Sequence, residues 1–204
     1  MKPFDAAMPS LVILSLLTVM FTAAALFVRE AEKGTIKRLQ LSRLTTLEYL
    51  GAAALVQLLI TVACVLLTLL TAMAFGYRLG TPVAGLIFVG ALSGFSVIAF
   101  GLLTAGFCRS VKDVMIVGNF PYFFMLLFSG VMPLPSPVFF ELAGHPIGLG
   151  SLFPMSFGVK ALEGMMNYGT GLGDLGFEVG AMILLGAAWF GLGAFLFWRK
   201  HLRT

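Results

Sequence analysis

Five stretches of this chain contain no Asp, Glu, Lys, Arg or His: residues 10–28, 50–75, 83–107, 114–132 and 179–198. A helix needs about 20 predominantly apolar residues to cross the hydrocarbon core of a bilayer, and each stretch supplies them. The second is long enough to tilt. Barrel strands would alternate apolar and polar residues over about 10 positions, and these runs do not. With 59% apolar and 11% charged residues, no soluble core of this size would hide the excess. The expected fold class is therefore all-α, a polytopic membrane helix bundle with five transmembrane helices in one transmembrane domain covering 1–204. A water-soluble enzyme, a disordered linker and a nucleic-acid-binding domain are excluded, so no nucleic acid is expected among the partners.

The linkers orient the spans. Arg29, Lys33, Lys37, Arg38 and Arg43 lie between the first two, Arg109 and Lys112 between the third and fourth, and Arg199, Lys200 and Arg203 after the fifth. Lys2, Arg78 and Lys160 fall on the other side. Basic residues concentrate in cytoplasmic loops, which places the amino terminus outside and the carboxyl terminus in the cytoplasm of a cell (plasma) membrane. A cleaved signal at 10–28, with Ala23-Ala24-Ala25 as small residues, is the rival reading. Lys2 and Asp5 cancel before it while five basic residues follow it, which favours a retained helix.

Within the second span Gln57, Thr61, Cys64, Thr68 and Thr71 recur at steps of four and three and share one stripe. Such a stripe either lines a polar path or holds helices together, and the second role is the commoner. Gly90 with Gly94, and Gly176 with Gly180, form GxxxG pairs suited to close helix packing. Cys64 and Cys108 make no metal-binding spacing and read as small buried hydrophobes. Both histidines, His145 and His201, lie outside the spans. Ser93 in Gly90-Ala91-Leu92-Ser93-Gly94 therefore lacks a base at membrane depth. No nucleotide-binding loop, paired intramembrane carboxylate or metal motif occurs, so no catalytic residue, metal or cofactor is expected. Spans without ionisable groups also disfavour an intramembrane proton relay, so energy for uphill transport would come from a partner.

The first cytoplasmic linker is more specific. Arg29-Glu30-Ala31-Glu32-Lys33-Gly34-Thr35 continues through Leu39, and Leu47-Glu48-Tyr49-Leu50 leads into the next span. Physically it is a short amphipathic stretch with a solvated basic face. Ser129-Gly130-Val131-Met132-Pro133-Leu134 ends the fourth span, and Leu152-Phe153-Pro154-Met155-Ser156-Phe157 begins a segment running to Ala161-Leu162. These three segments, in this order, resemble the permeases of type-2 ATP-binding-cassette (ABC) exporters, over roughly residues 9–203. Such permeases usually have six spans, and this chain begins at what resembles the second, as a truncated or naturally short form. Arg43 stands where a proline often follows the linker serine.

The resemblance implies that 29–49 is a coupling loop whose helix sits against an ATPase subunit, with Glu30, Glu32, Gly34 and Thr35 as the ATPase-coupling positions. Gly34 suits a chain reversal or a close approach, since it has no Cβ. It implies external re-entrant helices within 133–176, and a substrate path or dimer interface at the spans 10–28 and 114–132. Ser15, Thr18 and Thr22 share one face of the first of these, and Asn119, Phe123 and Phe124 lie in the second, beside the helix-bending Pro121. Asn119, a strong hydrogen-bonding group, is expected to face protein or a cavity. The implied partners are an ABC ATPase subunit, a second permease in a homo- or heterodimer, and membrane lipid. The expected function is a permease subunit forming a dimeric path. A non-transporting scaffold or anchoring subunit of the same fold is the alternative. Apolar spans suit lipids, lipid-linked glycans, hydrophobic drugs or amphipathic peptides better than ions.

Overall fold

The computed structural model describes residues 3–34, 45–77, 80–132, 138–142 and 145–201. The first span comprises α1 (Pro3–Leu17) and α2 (Val19–Glu32), and the second is α3 (Thr46–Ala74). The third is α4 (Val83–Phe107), and the fourth divides into α5 (Val111–Val117) and α6 (Asn119–Phe128). A hairpin of β1 (Val138–Leu142) and β2 (His145–Gly148) follows, then a 3-10 turn at Leu149–Leu152. The chain closes with α7 (Pro154–Tyr168), a 3-10 turn at Leu172–Leu175 and the fifth span, α8 (Gly176–His201). Among the described residues five helical segments are long and apolar enough to cross a membrane, as expected.

The two interrupted spans have local causes. Ser15, Thr18 and Thr22 each donate their hydroxyl to the carbonyl three residues back, at 2.7, 2.7 and 2.9 Å. Hydroxyls that compete for ladder carbonyls bend helices, and the break falls at Thr18. In the fourth span Pro121 has no N–H to offer the carbonyl one turn back, and the ladder parts at Gly118. The fifth helix outruns its expected end at 198 and continues to His201.

The third span is the hub. Its most apolar window is 67% buried, against 17% for the fourth span, so α4 sits inside the bundle and α5–α6 at its edge. Lipid supplies no hydrophobic drive between helices, so close approach and hydrogen bonding must hold them. Gly94 meets Thr61 and Gly90 meets Val65 across the α3–α4 crossing, which lies antiparallel. Along α8, Gly186 meets Ser96 and Gly193 meets the Leu103 backbone, so α4 and α8 run parallel. The Gly90/Gly94 pair thus packs as its spacing suggests, whereas Gly176 and Gly180 approach nothing within 4 Å. Gln57 and Thr61 are buried, and Thr68 donates to Ser15 of α1 at 3.3 Å. The polar stripe of the second span makes helix–helix contact at Gln57, Thr61 and Thr68, while Thr71 at its end is exposed.

α7 runs antiparallel to α4, Met165 lying against Gly85 and Gly158 against Ser93, while Phe153 stacks on Phe100 at 5.7 Å. Gly85 to Phe100 is ~22 Å of helix rise, so the Pro154 end of α7 lies deep in the bundle. That is the geometry of a re-entrant helix. The hairpin before it was not expected in a segment read as helical. Its register pairs Leu142 with His145 and Glu141 with Pro146, with an irregularity between Val138 and Phe140.

Candidate functional site

Two regions carry the candidate residues, one at the charged end of the bundle and one on the first and fourth spans. At the charged end, α2 continues through Arg29 and Glu30 to Glu32, so these residues extend the first span instead of opening a separate helix. Gly34 follows with φ +68°, and a Cβ there would meet nothing within 4 Å. A backbone in this left-handed region is what favours glycine at this point. Thr35 and the rest of the linker to Leu44 lie outside the described residues. The second span then opens on a capping box in which Thr45 N donates to Glu48 Oε2 at 2.7 Å and Glu48 N donates to Thr45 Oγ1 at 3.3 Å. Glu48 of the Leu-Glu-Tyr-Leu motif is thus a helix-start residue.

Glu32 reaches across to the fourth span, where its Oε1 accepts the N–H of Val111 at 3.2 Å. Val111 is the first residue of α5, an orphan donor that a carboxylate satisfies well. The same helix start carries a second capping box, with Ser110 and Asp113 bonded reciprocally at 2.9 and 3.1 Å. At the far side of the loop, Lys200 Nζ donates to the Phe107 carbonyl, and His201 Nε2 lies 3.3 Å from the Ala105 carbonyl. Lys200 sets its cation at the open C-terminal end of α4, a favourable place for one, and the His201 ring lies beside it. Cys108 is buried in this knot. Burial and the nearby Asp113 push its thiol up, and Lys200 opposes them. Arg29, Lys33, Arg109, Lys112, Arg199 and Lys200 therefore cluster at one end of the bundle.

On the first span Thr18 and Thr22 are exposed, whereas Ser15 is half-buried and takes the hydroxyl of Thr68. Ser15 thus faces α3. On the fourth span Asn119 is exposed and donates Nδ2 to the Met115 carbonyl one turn back, in α5. Phe123 and Phe124 are 57% and 49% exposed. Phe21 and Tyr122 contact at 5.2 Å between ring centroids and set the two spans side by side.

One feature escaped the sequence reading. Phe124, Phe128, Phe153, Phe100 and Trp189 form a column of rings with successive centroids 6.1, 5.9, 5.7 and 4.8 Å apart. It runs from the exposed fourth span through the base of α7 and the hub to α8. Trp189 Nε1 closes it by donating to the Leu152 carbonyl at 3.1 Å. Among the described residues no group of His, Cys, Asp or Glu has a metal-binding arrangement.

Helices of this length and apolarity, folded around a buried hub with a re-entrant helix beside it, define a multi-pass membrane protein. A family model described as "ABC-2 family transporter protein" matches residues 4–195, nearly the whole chain. The protein belongs to that family, and so is the permease component of a membrane transporter. No curated protein and no solved structure matches the chain.

Proposed function

We propose that this chain is one half of a dimeric ABC exporter permease in the plasma membrane, driven by a separate ATPase that docks on the coupling loop 29–49. The observation that carries the reading is the Glu32–Val111 hydrogen bond, which ties the candidate coupling segment to the first residue of the fourth span. A push on that linker reaches α5 directly, and the Gly118 break lets α5 tilt against α6. α6 carries Phe123 and Phe124, exposed rings suited to an apolar or amphipathic cargo. The charged end of the bundle is the cytoplasmic one in this reading, with the amino terminus outside. Exposed Thr18, Thr22 and Asn119 supply hydrogen-bonding groups that a second permease copy would cover.

The test is co-purification and reconstitution. A Walker-motif ATPase should accompany the chain, and its substrate-stimulated turnover should depend on it. Gly34→Pro, or charge reversal at Glu30 and Glu32 together, should uncouple that turnover while the protein remains in the membrane. ATP hydrolysis indifferent to the chain would make it a scaffold or anchor instead. Unchanged stimulation in all the linker variants would remove the coupling role.

A further inference from the structure

A pocket of about 300 Å³ opens between the end of α6, the hairpin and α7. It lies at the far end of the fourth span from the Glu32–Val111 contact. Phe128, Val138 and Val159 give it an apolar wall, and Lys160 and Glu163 are the charged side chains lining it. The hydroxyls nearby are already engaged. Ser151 Oγ accepts from Gly148 N at 3.2 Å, and Ser156 Oγ donates to the Phe153 carbonyl at 2.9 Å. The charged groups of the lining are Lys160 and Glu163, and the Ser151 hydroxyl keeps its own proton to donate beside them.

These two stand three residues apart on α7, with β-carbons about 5–6 Å from each other. Lys160 Nζ lies 5.7 Å from the centre of the Phe157 ring. Among the described residues neither charge closes into an ion pair or takes a hydrogen bond. Burial pushes the Glu163 carboxyl above its ordinary range, and Lys160 only partly opposes this. Among the described residues the Glu163 carboxylate has no cation at ion-pair distance and the Lys160 ammonium has no anion. Both residues fall between the Gly158–Ser93 and Met165–Gly85 contacts, beside the first half of α4, with Glu163 nearer its start than Lys160. Gly85 stands in the first turn of α4, so the Met165 end of this stretch is the one nearest the end of a span.

We propose that this pocket binds the headgroup of a zwitterionic phospholipid of the ethanolamine type, its phosphate on Lys160 and its ammonium on Glu163. The start of an acyl chain then lies on Phe128, Val138 and Val159. An anionic lipid would satisfy Lys160 but leave Glu163 facing a like charge, and a cationic one would do the reverse. Only a zwitterion pairs both. The inference rests on the pocket alone and stands apart from the coupling reading.

The experiment uses the full chain in neutral detergent, with native mass spectrometry counting retained lipid. Phosphatidylethanolamine and phosphatidylglycerol with identical acyl chains are offered in competition. The wild type should retain phosphatidylethanolamine by about tenfold, the scale of one charge-assisted hydrogen bond. Lys160→Ala and Glu163→Gln should each bring the ratio to about one, while Lys160→Arg, and Leu67→Ala on the exposed side of α3, should keep it. Thermal unfolding of each variant confirms that it is folded, and Glu163→Gln, nearly isosteric, carries the decision if Lys160→Ala is not. Equal retention by the wild type overturns the proposal. So does a preference for phosphatidylglycerol, or a ratio unmoved by Glu163→Gln. Displacement of bound lipid by free phosphoethanolamine at equal concentration would assign the pocket to a soluble zwitterion and also overturn the lipid assignment.

Discussion

Replacing Gly193 by alanine tests the hub. The added Cβ would stand 2.8 Å from Leu103 N and 3.2 Å from Ala99 O, both backbone atoms of α4. No rotamer change can relieve a clash with backbone, so the two helices must separate by some tenths of an ångström. Over-packing of this kind costs typically ~1–3 kcal/mol. Alanine also favours the helix itself by about 1 kcal/mol over glycine, which partly masks the loss. Gly191 supplies the control. It lies two residues away on the same helix, and a Cβ there would meet nothing within 4 Å. Gly191→Ala should therefore stabilise by up to ~1 kcal/mol. The difference between the two variants, ~1–3 kcal/mol, isolates packing because the propensity gain cancels. The assay is sodium dodecyl sulfate titration in mixed micelles, followed by circular dichroism at the helix band. If the two alanines agree within about 0.5 kcal/mol, the close α4–α8 crossing does not hold the bundle together.

Three further outcomes follow from individual groups. Glu32→Ala should speed amide exchange at Val111 and cost about 0.5–1.5 kcal/mol, while Glu32→Gln keeps an acceptor and largely preserves protection. Cys108, buried and with its thiol pushed up, should react with maleimide at neutral pH far more slowly than a cysteine at exposed Arg109 in a Cys108→Ala background. Equal rates would contradict its burial. Glu163 holds its proton more tightly folded than unfolded, so its contribution is fully present below the ordinary carboxylate value and is lost as pH rises through the raised one. Wild-type stability measured across that interval should fall relative to Glu163→Gln, and parallel curves would refute the assignment.

What the sequence made legible was set by distance along the chain. The third span is found at its expected bounds, Val83–Phe107, because Pro82 precedes it and Arg109 follows it closely. The polar stripe from Gln57 to Thr71 was assigned to helix contact on general grounds, and Thr61 against Gly94 supplies the particular one. The hairpin had a local signal that was passed over. Val138, Phe139 and Phe140 favour strands, and two short runs joined by Ala143-Gly144 suit a tight turn. Glu32 was singled out for an external partner, yet its carboxylate also serves a backbone donor 79 residues away. No local pattern reveals such a pairing. The stripe rule fixes which residues share a side, not which neighbour that side meets, and the contact of Ser15 with Thr68 of α3 comes from the structure.

The ring column has a practical consequence. The chain contains only two tryptophans, and they occupy different surroundings. Trp189 ends the column, its indole N–H bonded to the carbonyl of Leu152 just before α7, whereas Trp198 is 40% exposed beside the basic tail. Removing Trp198 by Trp198→Phe would leave a single tryptophan, excitable apart from the four tyrosines, whose emission depends on the position of the re-entrant segment. The protein then carries its own gauge of that segment, readable without a label.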